Sequence, residues 1–156
     1  MSKLRLLFIL VIFISACKPA QKQDLIHEEI AAHCIASQSE CLFNTELGNF
    51  RIKFAQHQLA DKIKTELPFT IELEVIPLNS EFQPKFTKIS SYLEGKDMFM
   101  GKVPIFFEAS EDKHVYKAES LLANCTEEQM VWRLWLTLET DNKAQNLFVD
   151  FTSVRL

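Results

Sequence analysis

Four sulfur-bearing side chains fall in two short segments of the sequence. Met98 and Met100 lie two apart within residues 95–101, and in an extended chain that spacing projects both side chains to the same face. Cys125 and Met130 lie in a second segment. Thioether and thiolate sulfurs are the donors that select Cu(I) over harder cations. These four residues are therefore candidate Cu(I) ligands, and the alternative is that the methionines only fill the core.

The cysteines decide whether a thiolate is free to join such a site. Cys34 and Cys41 are separated by six residues and could close a small loop as a disulfide, which would leave Cys125 unpaired. Two alternatives stay open. One is a bridge from Cys125 to Cys34 or Cys41, and the other is a buried, inert Cys125.

Strands are predicted to position both sulfur segments. Apolar and polar residues alternate with a period of two over residues 50–55 and 69–75. Five further runs of strand length stand between Pro, Gly and Asp residues: 85–93, 103–108, 114–122, 130–138 and 147–154.

These runs predict a mainly β fold, an immunoglobulin-like antiparallel β-sandwich of about seven strands, as one domain over residues 25–156. Residues 25–34 are mostly good helix formers and predict a short N-terminal helix. Trp132 and Trp135 lie three apart in one predicted strand and should face opposite sides of its sheet.

The N-terminus has the pattern of an export signal. Two basic residues precede nine consecutive apolar residues, 6–14, whereas a spanning helix needs roughly 20. The run ends in Ile14-Ser15-Ala16-Cys17, which resembles a bacterial lipobox. The resemblance implies a lipoprotein signal peptide over residues 1–16, an acylated Cys17 and a lipidated tether over residues 17–24. The alternative is an ordinary secretory signal with a chance cysteine.

Localisation follows from the same segment. An acylated Cys17 would hold the domain on the lipid bilayer without a spanning helix. Lys18 stands where an aspartate would be the usual signal for retention in the inner membrane. By resemblance to such lipoproteins, we expect a position in the bacterial cell envelope, facing the periplasm, with the outer membrane favoured over the inner.

Composition excludes several classes of protein. The chain has 156 residues, 47% of them hydrophobic, and a formal charge of −4, which fits one globular domain and excludes a disordered polyelectrolyte. No basic cluster follows residue 5, so nucleic-acid binding is not expected. No hydrolase, phosphate-loop or zinc-protease motif is present, and the protein is not expected to be an enzyme.

A family resemblance covers residues 67–152. A glycine, a short gap and Met-x-Met-Gly before a strand are followed by an aromatic-bearing strand and a Cys-x4-Met-x-Trp segment. This arrangement resembles the YtkA-like and FixH-like periplasmic immunoglobulin-like domains, which are associated with copper handling and cytochrome oxidase assembly. The histidine often found beside such methionines is missing here. That absence shifts the implied site toward an all-sulfur set that includes Cys125 and Met130.

The leading hypothesis is a lipid-anchored periplasmic module whose Met98, Met100, Cys125 and Met130 hold Cu(I) for a respiratory oxidase, with a periplasmic or membrane protein as partner. The second hypothesis is a structural or protein-interaction envelope lipoprotein without metal, in which the four sulfurs should lie apart or buried. The third is a thiol-based redox enzyme at Cys125, for which the sequence offers no assignable base.

Overall fold

The computed structural model of the chain describes residues 28–31, 41–57, 62–77 and 84–156. Within these ranges the chain forms eleven β-strands and no helix. The strands are β1 (Glu28–Ala31), β2 (Cys41–Thr45), β3 (Gly48–Gln56), β4 (Ile63–Lys64), β5 (Phe69–Ile76), β6 (Lys88–Gly95), β7 (Lys102–Ile105), β8 (Glu108–Ala109), β9 (Val115–Ser120), β10 (Gln129–Glu139) and β11 (Ala144–Val154).

The strands form two sheets. The six-stranded sheet has the order β1-β11-β10-β6-β7, and β4 pairs with β11 as its sixth strand. The five-stranded sheet has the order β2-β3-β5-β9-β8. The pairings of β1 and β4 with β11 are parallel, and the other described pairings are antiparallel.

Alternating apolar residues from both sheets meet in one core. Phe54 and Phe69 of the five-stranded sheet reach Phe151 of the six-stranded sheet, with ring centroids 4.8 and 6.0 Å apart. All three are at most 4% exposed, and burial of such a side chain stabilises the fold by roughly 1.5–3 kcal/mol. The shared core packs the two sheets face to face, as in a β-sandwich.

The two tryptophans of β10 confirm the predicted alternation. Trp132 is 2% exposed and donates its indole N–H to Ser153 Oγ at 3.0 Å inside the core. Trp135 is half-buried on the outer face, between the rings of Tyr92 and Phe148.

The seven predicted strands are confirmed as β3, β5, β6, β7, β9, β10 and β11. The run 103–108 holds two strands, because the chain leaves the six-stranded sheet after Ile105 and joins the five-stranded sheet at Glu108. The sequence prediction did not separate β8 from β7, and it missed β2 and β4, which are at most five residues long and too short for a clear alternation.

The helix predicted over residues 25–34 is not confirmed. Residues 28–31 form β1, and Glu28 lies opposite Gln145 of β11. A helix of about ten residues is marginal in water by itself, whereas pairing with β11 satisfies backbone hydrogen bonds at a sheet edge. The rest of that range lies outside the described residues.

The predicted signal peptide (1–16), the acylated Cys17 and the tether (17–24) also lie outside the described residues and stay predictions. In the part of the chain that the structure describes, no helix is long and apolar enough to cross a membrane.

Candidate metal centre

The first sulfur segment, residues 95–101, comprises the last residue of β6 and the loop to β7, and we call it the methionine loop. The backbone N–H of Lys96 donates to Val131 O at 3.0 Å, and the Lys96 ammonium contacts Asp150 at 2.8 Å. At the other end, Gly101 has a φ of +75°, a left-handed conformation that favours glycine. The loop is therefore held to β10 and β11 where it begins and turns sharply where it ends.

Gly95 allows this loop to fold back on itself. A Cβ at this position would lie 2.2 Å from the carbonyl oxygen of Met98, 3.3 Å from Met100 Cγ and 3.4 Å from Met130 Cε. The first distance is to backbone, so a side chain here would force the loop to move. The requirement at Gly95 is for space, since its φ is not left-handed.

The second sulfur segment is the connection between β9 and β10, residues 121–128, which we call the cysteine loop. Before the cysteine, Leu122 is 1% exposed and its carbonyl accepts the Glu66 N–H at 2.8 Å. The hydroxyl of Thr65 donates to the side-chain oxygen of Asn124. After the cysteine, the Arg155 N–H donates to Glu128 O at 3.0 Å. Anchors on both sides thus fix the position of Cys125.

The two loops bring three sulfurs together. Cys125 Sγ lies 3.6 Å from Met98 Sδ and 3.9 Å from Met100 Sδ. Met98 is 38% exposed, whereas Met100 and Cys125 are half-buried and pack against the core. The cluster is therefore open to solvent on the Met98 side and backed by the core on the other.

The spacing of these sulfurs fits a bound soft ion. Three sulfurs around an ion at roughly 2.3 Å, the distance typical of zinc–thiolate bonds, lie about 4 Å from one another. The two Cys125 distances are close to that value. Two neutral thioethers and one thiolate are also donors of the kind that Cu(I) prefers. The donor types and these two distances are therefore compatible with the ion that the sequence predicts.

Met130 has a different place from the other three. It is 8% exposed at the start of β10, and its terminal methyl group lies beside Gly95. Met100 Cγ borders the same glycine, so both methionines pack against Gly95. The structure thus places Met130 as a support for the cluster, and its predicted role as a ligand stays a prediction.

Cys125 is the free cysteine among the described residues, and hydrogen bonds favour its thiolate. The backbone N–H of Glu127, followed by the side chain of Thr126, lowers the pKa of Cys125 below the usual value for a thiol. Partial burial and the carboxylate of Glu127 act in the opposite direction but are outweighed. The thiolate is the form that binds metals.

The remaining predicted site residues lie elsewhere. Cys41 is 2% exposed at the start of β2, and Cys34 lies outside the described residues, so their pairing stays a prediction. In the ranges that the structure describes, no three His, Cys, Asp or Glu side chains are grouped to hold a metal ion. The sulfur cluster is distinct from such sites because two of its three donors are methionines.

Sequence reasoning missed the residues that position the sulfurs. The importance of Gly95 could have been predicted from the sequence, because two of the three glycines in the chain flank the Met-x-Met segment. Thr65, Asn124 and Thr126 carried none, because their roles depend on contacts between segments distant in sequence or on the path of a loop backbone.

No protein-family model and no curated protein matches the sequence. Among solved structures, the chain is similar to a DUF4426 family protein from Pseudomonas aeruginosa PAO1, with a TM-score of 0.51 and 12% identity over 74% of this chain and 94% of that one. It also matches a superoxide reductase (neelaredoxin) from Ignicoccus hospitalis, with a TM-score of 0.40 and 14% identity over 65% of this chain and 79% of that one. The first likeness concerns the fold alone, and the second is too distant for any conclusion.

Proposed function

We propose that this protein is a lipid-anchored periplasmic module that binds Cu(I) through Met98, Met100 and Cys125 and delivers or buffers it for assembly of a respiratory oxidase. The observation that carries the proposal is the approach of Met98 Sδ and Met100 Sδ to Cys125 Sγ at 3.6 and 3.9 Å. The immunoglobulin-like form of the sandwich and its relation to the YtkA-like and FixH-like families belong to the same proposal.

Charge and exposure support reversible binding. One thiolate neutralises the single charge of Cu(I), so no net charge has to be held at a half-buried position. The two thioethers are neutral donors that a competing thiolate or imidazole can displace. Met98, the most exposed of the three sulfur residues, lies on the side from which such a competing ligand would arrive. Delivery by ligand exchange needs no redox chemistry from the protein itself.

The alternative without metal predicts that the sulfurs lie apart or are buried without a common open position. The convergence of three sulfurs at a partly exposed end of the sandwich favours the metal site over that alternative. It does not exclude a protein partner, because delivery requires one.

Titration of the reduced protein with Cu(I) against a competing chelator tests the proposal. We expect the Met98→Ala/Met100→Ala double variant and Cys125→Ser each to bind at least about tenfold more weakly, which is about 1.4 kcal/mol. Met130→Leu preserves side-chain volume and removes only the thioether, so we expect it to keep wild-type affinity, as for a residue that supports the cluster without binding the ion. Wild-type binding no tighter than that of the double variant would refute the proposal.

The anchor is tested separately. We expect Cys17→Ser to release the protein from the membrane fraction and to abolish incorporation of labelled palmitate, while Cu(I) affinity is unchanged. Retention of Cys17→Ser in that fraction, with no change in labelling, would contradict the lipid anchor. The proposal of a Cu(I) site would be unaffected by that result.

A further inference from the structure

Phe99 is displayed beside the sulfur cluster. Its side chain is 93% exposed, the highest value among the exposed large apolar residues that the structure describes, and it lies between Met98 and Met100 in sequence. The loop that carries it is held by the contacts of Lys96 and by the close approach at Gly95. An exposed aromatic ring on a fixed loop is typical of the anchors that dominate protein interfaces.

The two sulfur loops carry exposed acidic side chains. Asp97, Glu127 and Glu128 have exposed side chains and no ion-pair partner in the described ranges. The lysines at the two ends of the methionine loop are turned onto the outer sheet face, where Lys96 contacts Asp150 and Lys102 lies 4.2 Å from the ring centre of Tyr92.

Two further cations lie on the β4–β11 side of the same end of the sandwich. The Lys62 ammonium is held by the Gln129 side chain, and Arg155 follows the end of β11. The two sulfur loops themselves therefore present carboxylates together with the exposed Phe99, and such a surface complements a partner face that is apolar at its centre and basic at its rim.

The sulfur cluster lies at the end of the sandwich opposite the entry of β1. Glu28 pairs with Gln145, whereas Gln129, beside the cluster, pairs with Val154. These two partners are nine positions apart along β11, which is about 30 Å of extended strand. The chain therefore enters β1 at the end of the six-stranded sheet that lies opposite the sulfur cluster.

We propose that Phe99 is the docking contact for an acceptor protein whose contact face presents an apolar pocket bordered by Lys or Arg side chains. This inference rests on the proposed function, because docking here would bring the acceptor's ligands to the exposed side of Met98. Phe99 contributes no donor atom to the ion. It would therefore affect the association with the acceptor protein and leave the affinity for the ion unchanged.

Site-specific photocrosslinking of the full chain in its own bacterial host tests this inference. Phe99→p-benzoylphenylalanine is compared with Phe106→p-benzoylphenylalanine, a matched control at a phenylalanine that is 76% exposed and lies between β7 and β8. We expect a crosslinked product of one discrete mass from position 99 and not from position 106. Mass spectrometry of that product should place the crosslink on a partner peptide with a net positive charge.

A charge-reversed protein provides the second arm. In Asp97→Lys/Glu127→Lys/Glu128→Lys, we expect the yield of the product to fall at least about fivefold, because the electrostatic complementarity is inverted. The same product from both positions, a yield that charge reversal leaves unchanged, a product of twice the chain mass, or crosslinks to lipid would each overturn the inference.

Cu(I) titration separates this inference from the proposed function. We expect Phe99→Ala to bind Cu(I) with an affinity within about twofold of wild type, as for a surface substitution that touches no donor. A large loss of affinity in Phe99→Ala would overturn the docking role. Absence of Cu(I) binding in the wild type would instead refute the proposed function, whatever the crosslinking result.

Discussion

Cys125 is the side chain on which the chemistry of the sulfur cluster depends, because it is the one of the three that ionises. Its thiolate is stabilised by a backbone N–H of Glu127 and by the side chain of Thr126. The negative charge of the Glu127 carboxylate destabilises the same thiolate. A sequence shows that a cysteine stands near two methionines. It does not show which way the backbone N–H groups of the loop point, and these groups set the protonation state.

Two neighbouring substitutions should therefore move the pKa of Cys125 in opposite directions. Thr126→Val removes a hydrogen bond to the thiolate and raises the pKa, whereas Glu127→Gln removes a repelling charge and lowers it. The measurement is the rate of alkylation by iodoacetamide as a function of pH. We expect its midpoint in wild type to lie below that of the urea-unfolded chain.

At neutral pH, Thr126→Val should then react more slowly than wild type and Glu127→Gln faster, because the thiolate is the nucleophile. Shifts of both variants in the same direction would contradict this account of the pKa. An unreactive Cys125 in the folded protein would, in addition, remove the hypothesis of a thiol-based redox enzyme.

At the scale of elements, the strands were predictable and the loops were not. The alternation in β3, β5 and β10 follows from burial of one face of each sheet, so it is visible in the residues themselves. The path of the methionine loop depends on a missing side chain at Gly95 and on pairing with β10. Residues 28–31 form the strand β1 because they pair with the edge of β11, and their own sequence does not indicate that pairing.

Gly95→Ala should separate the positioning of the sulfurs from the stability of the fold. The added methyl group would clash with the Met98 carbonyl oxygen. Overpacking of this kind lowers the free energy of unfolding by roughly 1–3 kcal/mol. We expect a lower urea midpoint and, in addition, at least about a tenfold loss of Cu(I) affinity, since the Met98 sulfur moves with its backbone.

The control for this prediction is Gly48→Ala, at the first residue of β3. Gly48 has a φ of +130°, so an alanine there is strained, but its nearest neighbour is Pro84 at 3.9 Å and none of the sulfurs is close. We expect this variant to lose stability and to keep its Cu(I) affinity. An equal loss of affinity in both variants would mean that Gly95 matters only for stability.

At the scale of the whole molecule, the predicted two-layer β architecture is found, but its topology was beyond sequence reasoning. The composition and the period-two alternation of apolar and polar residues predicted a sandwich. Neither could show that the loops after β6 and β9 meet at one end, because that depends on β6 and β10 pairing as neighbours. The convergence of Cys125 with Met98, 27 residues earlier, is a product of this pairing.

The proposed ligand set is brought together only by the fold, which would link metal occupancy to folding. In an unfolded chain Cys125 lies far on average from Met98 and Met100, so Cu(I) should bind the native state more tightly than the unfolded one. A ligand at 100 times its Kd then stabilises the native state by about 2.7 kcal/mol.

We therefore expect the melting temperature of the reduced protein to rise with Cu(I) concentration, and to rise much less in the Met98→Ala/Met100→Ala double variant, as followed by circular dichroism. A melting temperature independent of Cu(I) in wild type would contradict this linkage. Where the linkage holds, the protein would lose that added stability each time it gives up its ion, so the emptied form is the one more exposed to unfolding and proteolysis.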